Sequence, residues 1–339
     1  MKVPAILITI LPFFLSHPIF AQSTVEDYVK EGIRYHDNGA FDQAIDTYQK
    51  ALELDPKSPL VNYEISMSYF SKGDYEKAIE HADIVLKQKD DLMMQAYLIK
   101  GSALDNLGEV RESVKLFEKA IKKTGEHYLL FYNLGLVHYK LSDWEAAEEN
   151  ILNAIDLNSN HPSSHLILAN IHNQRGNKVQ TLLASHFFLL LEPNSSRSLE
   201  VYQMLQTHFI SNVARDADKP KEINIFLPAG GSEEFAAVEL MISMLEASKS
   251  LEDNEGKTED EMFVENTASF FKMMGEMKKK KSTGIWWTLY TPLFDDIARS
   301  GHIETYCKYI SQSGNENSQQ WLEENETRLD EFADWLKND

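Results

Sequence analysis

Residues Tyr28–Lys57 read YVKEGIRYHDNGAFDQAIDTYQKALELDPK, with a turn glycine, Gly39, inside the run. From Gly39 the positions Gly73, Gly108, Ser142 and Gly176 follow at intervals of 34, 35, 34 and 34 residues. Five residues after each stands a small side chain, at Ala44, Ala78, Ser113, Ala147 and Thr181. Seven before each stands another, at Gly32, Ser66, Gly101, Gly135 and Ala169. A fixed period of this length marks an array of stacked units, not a catalytic motif. Small residues at one position per helix let two backbones approach, and large ones a turn away fill the groove beside the crossing.

Each unit resembles a tetratricopeptide repeat, two antiparallel helices joined by a short turn. In the first unit Tyr28, Gly32 and Tyr35 match the first-helix pattern, Ala44, Tyr48 and Ala51 the second, and Pro56 the exit turn. Pro56 and Pro193 mark the ends of the first and fifth units, because proline cannot continue a helix. The third unit departs from the pattern by one extra residue around KQKDDLMMQAY and by Val110 where Phe41, Tyr75 and Trp144 stand elsewhere. The fifth has Lys178 at that place and Thr181 for alanine. The resemblance covers Val25–Asn194 and implies an all-α fold, a superhelical solenoid of five helix-turn-helix repeats with a helical C-terminal domain behind it. The repeats fall near residues 25–58, 59–93, 94–127, 128–161 and 162–194, within an array spanning 22–194.

At 339 residues with 43% hydrophobic side chains, the chain is long enough to bury a sizeable core. Its formal net charge of -20 argues against a nucleic-acid partner, since phosphate binding needs concentrated Lys and Arg. Residues 1–21 run from Lys2 through an apolar stretch broken by Pro4, Pro12 and Pro18 to the small Ala21, the order of a secretory signal peptide cleaved near Ala21. A retained membrane anchor is the alternative, for which three prolines and His17 make a poor spanning helix. The expected location is an exported compartment, the periplasm, with no stable membrane insertion after signal removal. Cys307 is the sole cysteine, so packing and not a disulfide must hold the fold, and its apolar neighbours make it a buried, inert thiol.

The first helices of such repeats line the concave side of the array. Family geometry places inward positions just after the small first-helix residue and three or four residues to either side. Carried onto this sequence, that selects Val29, Ile33 and His36, then Tyr63, Met67 and Phe70, then Leu98, then Tyr132, Leu136 and Tyr139, and finally Leu166, Asn170 and Asn173. An apolar, aromatic lining with an amide-bearing end suits an extended peptide or a partner helix. The competing reading of each aromatic is core against the neighbouring repeat. Family members that grip a peptide's terminal carboxylate use Lys and Asn where this chain has Val29 and Ile33, so that clamp is not expected here. The implied role is a protein-binding scaffold of the cell envelope, without cofactor or metal. An envelope enzyme with its site in the C-terminal half and a chaperone-like holder of exported polypeptides are the alternatives. Nothing in the sequence fixes an oligomeric state.

After Pro193 the period stops. SSRSLEVYQMLQTHFISNVA reads as an amphipathic helix that covers the last repeat, and a charged linker, RDADKPKE, completes a capping segment over 195–222. INIFLP is the one strand-like run, and the helical region 223–339 follows. Ser232 starts one helix and Thr258, with Glu261 three residues on, starts another as a capping box. Lys278–Lys281 read as a solvated helix end, Trp286, Trp287 and Tyr290 as core, and a last helix runs from about Ser318. Asp295 and Asp296 are adjacent and diverge on a helix. Gly230 and Gly231 lack the rest of a phosphate loop, and His161, His165 and His172 lack the Glu of a metalloprotease pattern.

Overall fold

The computed structural model describes residues 23–89, 91–211, 213–216, 219–226, 233–248 and 256–338. The expected signal segment, together with Ser232, Gly230 and Gly231, lies outside the described residues. Five helix pairs follow one another: α1 (Val25–Asp37) with α2 (Phe41–Leu54), α3 (Pro59–Lys72) with α4 (Tyr75–Gln88), α5 (Met93–Asn106) with α6 (Val110–Thr124), α7 (Tyr128–Lys140) with α8 (Trp144–Leu157), and α9 (Pro162–Gln174) with α10 (Lys178–Leu191). Within each pair the chain turns through one left-handed residue, with φ of +73° at Gly39, +87° at Gly73, +80° at Gly108, +57° at Ser142 and +72° at Gly176. The repeat period is therefore a period of backbone conformation. Glycine recurs because a Cβ is disfavoured there, by about 1–2 kcal/mol, and Ser142 is the one repeat turn that bears that cost.

The chain divides into two compact units whose boundary falls between Ala103 and Leu104, inside α5. In the first, a Cβ added at Gly32 would stand 2.3 Å from the ring of Tyr48, which is itself fully buried. One repeat later the Ser66 hydroxyl donates to the Ala78 carbonyl at 2.8 Å, a bond that only a close helix crossing permits. Val29, Ile45, Val61 and Ile65 complete this core.

In the second unit a Cβ at Gly135 would lie 2.8 Å from Ile151 and 3.2 Å from the Ala147 carbonyl, so the same crossing recurs between α7 and α8. A single core runs from Ala147 to Phe332. At its centre is α10, with twelve of its fourteen residues buried, so it is enclosed on all sides and not amphipathic. Helix α11 (Ser196–Ile210) packs on α10 as the expected cover. It stops at Ile210, short of the predicted end, and the expected linker is not a linker. Val213–Asp216 (β1) pairs antiparallel with Lys219–Ile225 (β2), a two-stranded hairpin in which INIFLP contributes Ile223–Ile225. Pairing gives both segments backbone partners that a solvated linker would lack.

A 3₁₀ turn at Glu233–Phe235 leads into α12 (Ala236–Ser248), followed by α13 (Glu259–Met277), a π-helical turn at Trp286–Tyr290, α14 (Thr291–Arg299) and α15 (Ile303–Ser311). Thr258 and Glu261 form the expected capping box, and Lys278–Lys281 are exposed beyond the helix end. The predicted last helix is two, α16 (Glu316–Glu324) and α17 (Glu326–Asn338). They part at Asn325, whose side chain donates to the Trp321 carbonyl at 2.8 Å and so competes with the helical ladder.

The imidazoles of His165 and His186 lie in the core of the second unit. The His165 Nε2–H donates to the Ser159 carbonyl at 2.8 Å, so Nδ1 accepts from the Tyr290 hydroxyl at 2.6 Å. His186 pairs through Nδ1 with the Tyr306 hydroxyl at 2.9 Å, among the rings of Phe209, Phe270, Phe271 and Phe294. Burial pushes His165 down to about 4 and His186 to about 3.

Replacing Gly32 by Ala should destabilise the chain by about 1–2 kcal/mol despite the better helix propensity, because the buried Tyr48 ring must move. Ser142→Gly should stabilise it by about 0.5–1 kcal/mol, and urea unfolding reads both. Both histidines are neutral in the fold, whereas the unfolded chain takes up their protons near pH 6.5. Stability is therefore complete above pH 6.5 and falls as the pH drops toward 4, by about 1.4 kcal/mol per pH unit for each histidine. The urea midpoint should follow that slope, and His186→Phe should make it shallower.

Candidate functional site

The first helices of the repeats, in both units, carry the residues expected from sequence on the binding face. In the first, Val29 is buried and Ile33 is exposed. His36, Tyr63, Met67, Phe70 and Leu98 are half-buried. Several of these have partners within the fold. His36 Nδ1 pairs with the Ser68 hydroxyl at 2.8 Å, and Tyr63 rests on the cluster of Ala82, Val85 and Ala96. Burial is the main reason the Tyr63 hydroxyl is pushed up, with the Glu64 carboxylate adding to it.

A regular contact links three turns. The residue three before the turn position meets the residue two after it edge to face: His36 with Phe41 at 5.3 Å, Phe70 with Tyr75 at 5.5 Å and Tyr139 with Trp144 at 5.4 Å. Three of the residues expected to face a ligand are thus halves of aromatic pairs that lock the two helices of a repeat. The third and fifth repeats have no aromatic pair at these positions, with Asp105 and Val110 in one and Asn173 and Lys178 in the other. Asp105 accepts from the Lys140 ammonium. Asn173 accepts from His208 Nε2 at 2.8 Å, and Lys178 donates to the Ser211 carbonyl at 3.1 Å. In the fifth repeat the exchange therefore anchors α11.

In the second unit Tyr132 stands edge-on to His161 at 4.8 Å, and Leu136 and Tyr139 lean on the core. Leu166 and Asn170 do more. They form one wall of a cavity of about 310 Å³ whose other wall is α11, through Arg197, Glu200, Val201 and Met204. The sequence row thus reaches an actual opening at its last repeat, although Asn173 is spent on His208. The α11 wall was not singled out from sequence. Its signal was present in the three- and four-residue spacing of Arg197, Glu200, Val201 and Met204 on a helix read only as a cover.

A larger cavity, about 720 Å³, lies beside α13 and is lined by Glu259, Asp260, Glu261, Glu304, Lys308 and Trp321 among others. Its carboxylates are mostly engaged: Asp260 with Lys308 at 2.6 Å, Glu261 with Thr258 in the capping box, and Glu304 with Arg328 at 2.8 Å. Trp287 and Tyr290 are core, with the Trp287 indole donating to Glu234 at 2.7 Å. Cys307 is buried, and burial pushes its thiol far up, the opposite of an activated nucleophile. His172 is also buried, with Nδ1 against Asn177 at 3.0 Å and Nε2 3.4 Å from Glu148. Among the described residues no group of three or more His, Cys, Asp or Glu is placed to hold a metal ion, and no helix is long and apolar enough to cross a membrane.

Comparison with known proteins agrees with the repeat geometry. A TPR repeat model matches residues 32–65, and a tetratricopeptide repeat model matches residues 63–128, 98–149 and 132–180. A TPR repeat-containing protein of Methanocaldococcus jannaschii is 24% identical over 216 residues, 60% of this chain, and this match spans only 35% of that relative's length. Among solved structures, PilF of Pseudomonas aeruginosa is 22% identical with a TM-score of 0.47, covering 55% of this chain and 88% of its own. A thermophilic TPR protein of Thermus thermophilus is 17% identical with a TM-score of 0.46, covering 55% and 98% respectively. Together the two models match residues 32–180, which fall within the five helix pairs of residues 25–191 and include all five left-handed turns.

Proposed function

We propose that the chain is a protein-binding scaffold that holds an extended peptide or a partner helix against the first helices of its repeats, with residues 22–194 as the binding array. The observation that carries this reading is the cavity between α9 and α11, because two residues of the expected binding row, Leu166 and Asn170, converge there on an opening large enough for a side chain. Within the first unit, the exposed Ile33 in the first repeat and the half-buried Tyr63 and Met67 in the second offer apolar contact of their own. Apolar pockets flanked by a few polar groups recognise peptides by side-chain shape, with amides such as Asn170 left to bond the backbone. An exported, periplasmic setting is part of the proposal, supported by the order of residues 1–21. A single groove of this kind gives affinities near micromolar, about -8 kcal/mol, which suits reversible assembly.

The test is a crosslinking pull-down from envelope extract with the mature chain and with a Leu166→Asp, Met204→Asp variant that keeps its helicity. A partner recovered at least about tenfold less well by the variant, a loss of ~1.4 kcal/mol, is the expected result. An unchanged set of partners would remove the groove as the docking site.

A further inference from the structure

The cavity between α9 and α11 has a charge bias. Leu166, Val201 and Met204 give it apolar walls, and Asn170 brings a side-chain amide. Two charged residues border it, Arg197 and Glu200, and they are not equivalent. Arg197 is already committed: Nε donates to Glu192 at 3.0 Å, Nη2 donates to the other oxygen of that carboxylate, and Nη1 donates to Ser163 at 2.9 Å. Its guanidinium also lies 5.4 Å over the Phe188 ring. The Arg197 hydrogen bond is in turn the main reason the Glu192 carboxyl is held below the usual range, so the two charges cancel in place. Glu200 is exposed, and among the described residues no ion pair or hydrogen bond engages it. The cavity therefore offers one free carboxylate beside an apolar wall.

Resting on the scaffold reading above, we infer that this cavity receives a lysine or arginine side chain of the bound peptide. The aliphatic stem lies along Leu166, Val201 and Met204, the cationic head meets Glu200, and Asn170 bonds the peptide backbone. Long cationic side chains are the ones that match an apolar wall ending in an anion, because stem and head have opposite solvation needs. A wholly apolar side chain would crowd Glu200 and strip its water without pairing it, and an acidic one would meet like charge. The chain's net charge of -20 acts in the same direction, drawing basic segments toward its surface.

The experiment is selection of phage-displayed random dodecapeptides on the full chain, followed by anisotropy titration of the best peptide against variants. Selected peptides should carry a Lys or Arg flanked by apolar residues. Glu200→Lys, an exposed change on α11, should weaken the best of them by about fivefold or more, and Lys→Ala or Arg→Ala in the peptide should weaken it equally. Peptides that lose binding to Leu166→Asp but carry no basic residue, or that ignore Glu200→Lys, overturn the inference and leave the groove reading standing. If no peptide is selected, or if the selected peptides bind Leu166→Asp undiminished, both fall.

Discussion

Close approach of the two helices in a repeat is the constraint on which the rest of the molecule depends. Gly32 leaves room for the Tyr48 ring, Gly135 for Ile151, and Ser66 comes near enough to Ala78 to bond its carbonyl. Two helices held that close present the same few residues to each other in every repeat. The aromatic pairs across the turns follow from this spacing, because residues five apart on opposite sides of a left-handed turn are brought within ring contact. What remains for a ligand is the set of first-helix residues left over once the crossing and the turn pair are made.

That hierarchy explains what could be read in advance. The turn positions and the small residues were legible because each answers a local demand, a positive φ or a missing Cβ, that few residue types satisfy. The surroundings of the aromatic row expected to face a ligand were legible only in part. Phe70 and Tyr139 have the right spacing on their helices, yet their partners, Tyr75 and Trp144, lie beyond the turn, and spacing within one helix does not show them. The hairpin at β1 and β2 was hidden because its charged residues look like a solvated linker until their backbone partner is known. The break at Asn325 was hidden for a related reason: a single side-chain bond to the Trp321 carbonyl divides an otherwise continuous apolar stripe.

Departures from the repeat pattern carry as much structural meaning as the matches. In the fifth repeat Asn173 and Lys178 stand where an aromatic pair would seal the turn, and each reaches α11 instead. Burial lowers Lys178 to about 8, and the carboxylates of Glu239 and Glu246 oppose that shift. A polar edge on an otherwise apolar repeat gives the covering helix directional bonds as well as contact area. The cavity between α9 and α11 lies along the same two helices, α11 being held to the fifth repeat by those bonds.

Helix α10 has a consequence for how the chain is made. It lies in the middle of the sequence, yet its covering comes from both directions, and 120 residues separate His186 from Tyr306, the hydroxyl that pairs with it. During synthesis from the N-terminus the earlier repeats gain their neighbours almost as soon as they emerge, whereas α10 waits with an apolar surface until α13 to α15 have been added. The fifth repeat is thus the point at which folding changes from a local, sequential process to one that requires distant chain closure. A nascent chain arrested between these two stages would leave the apolar surface of α10 open to whatever surrounds it.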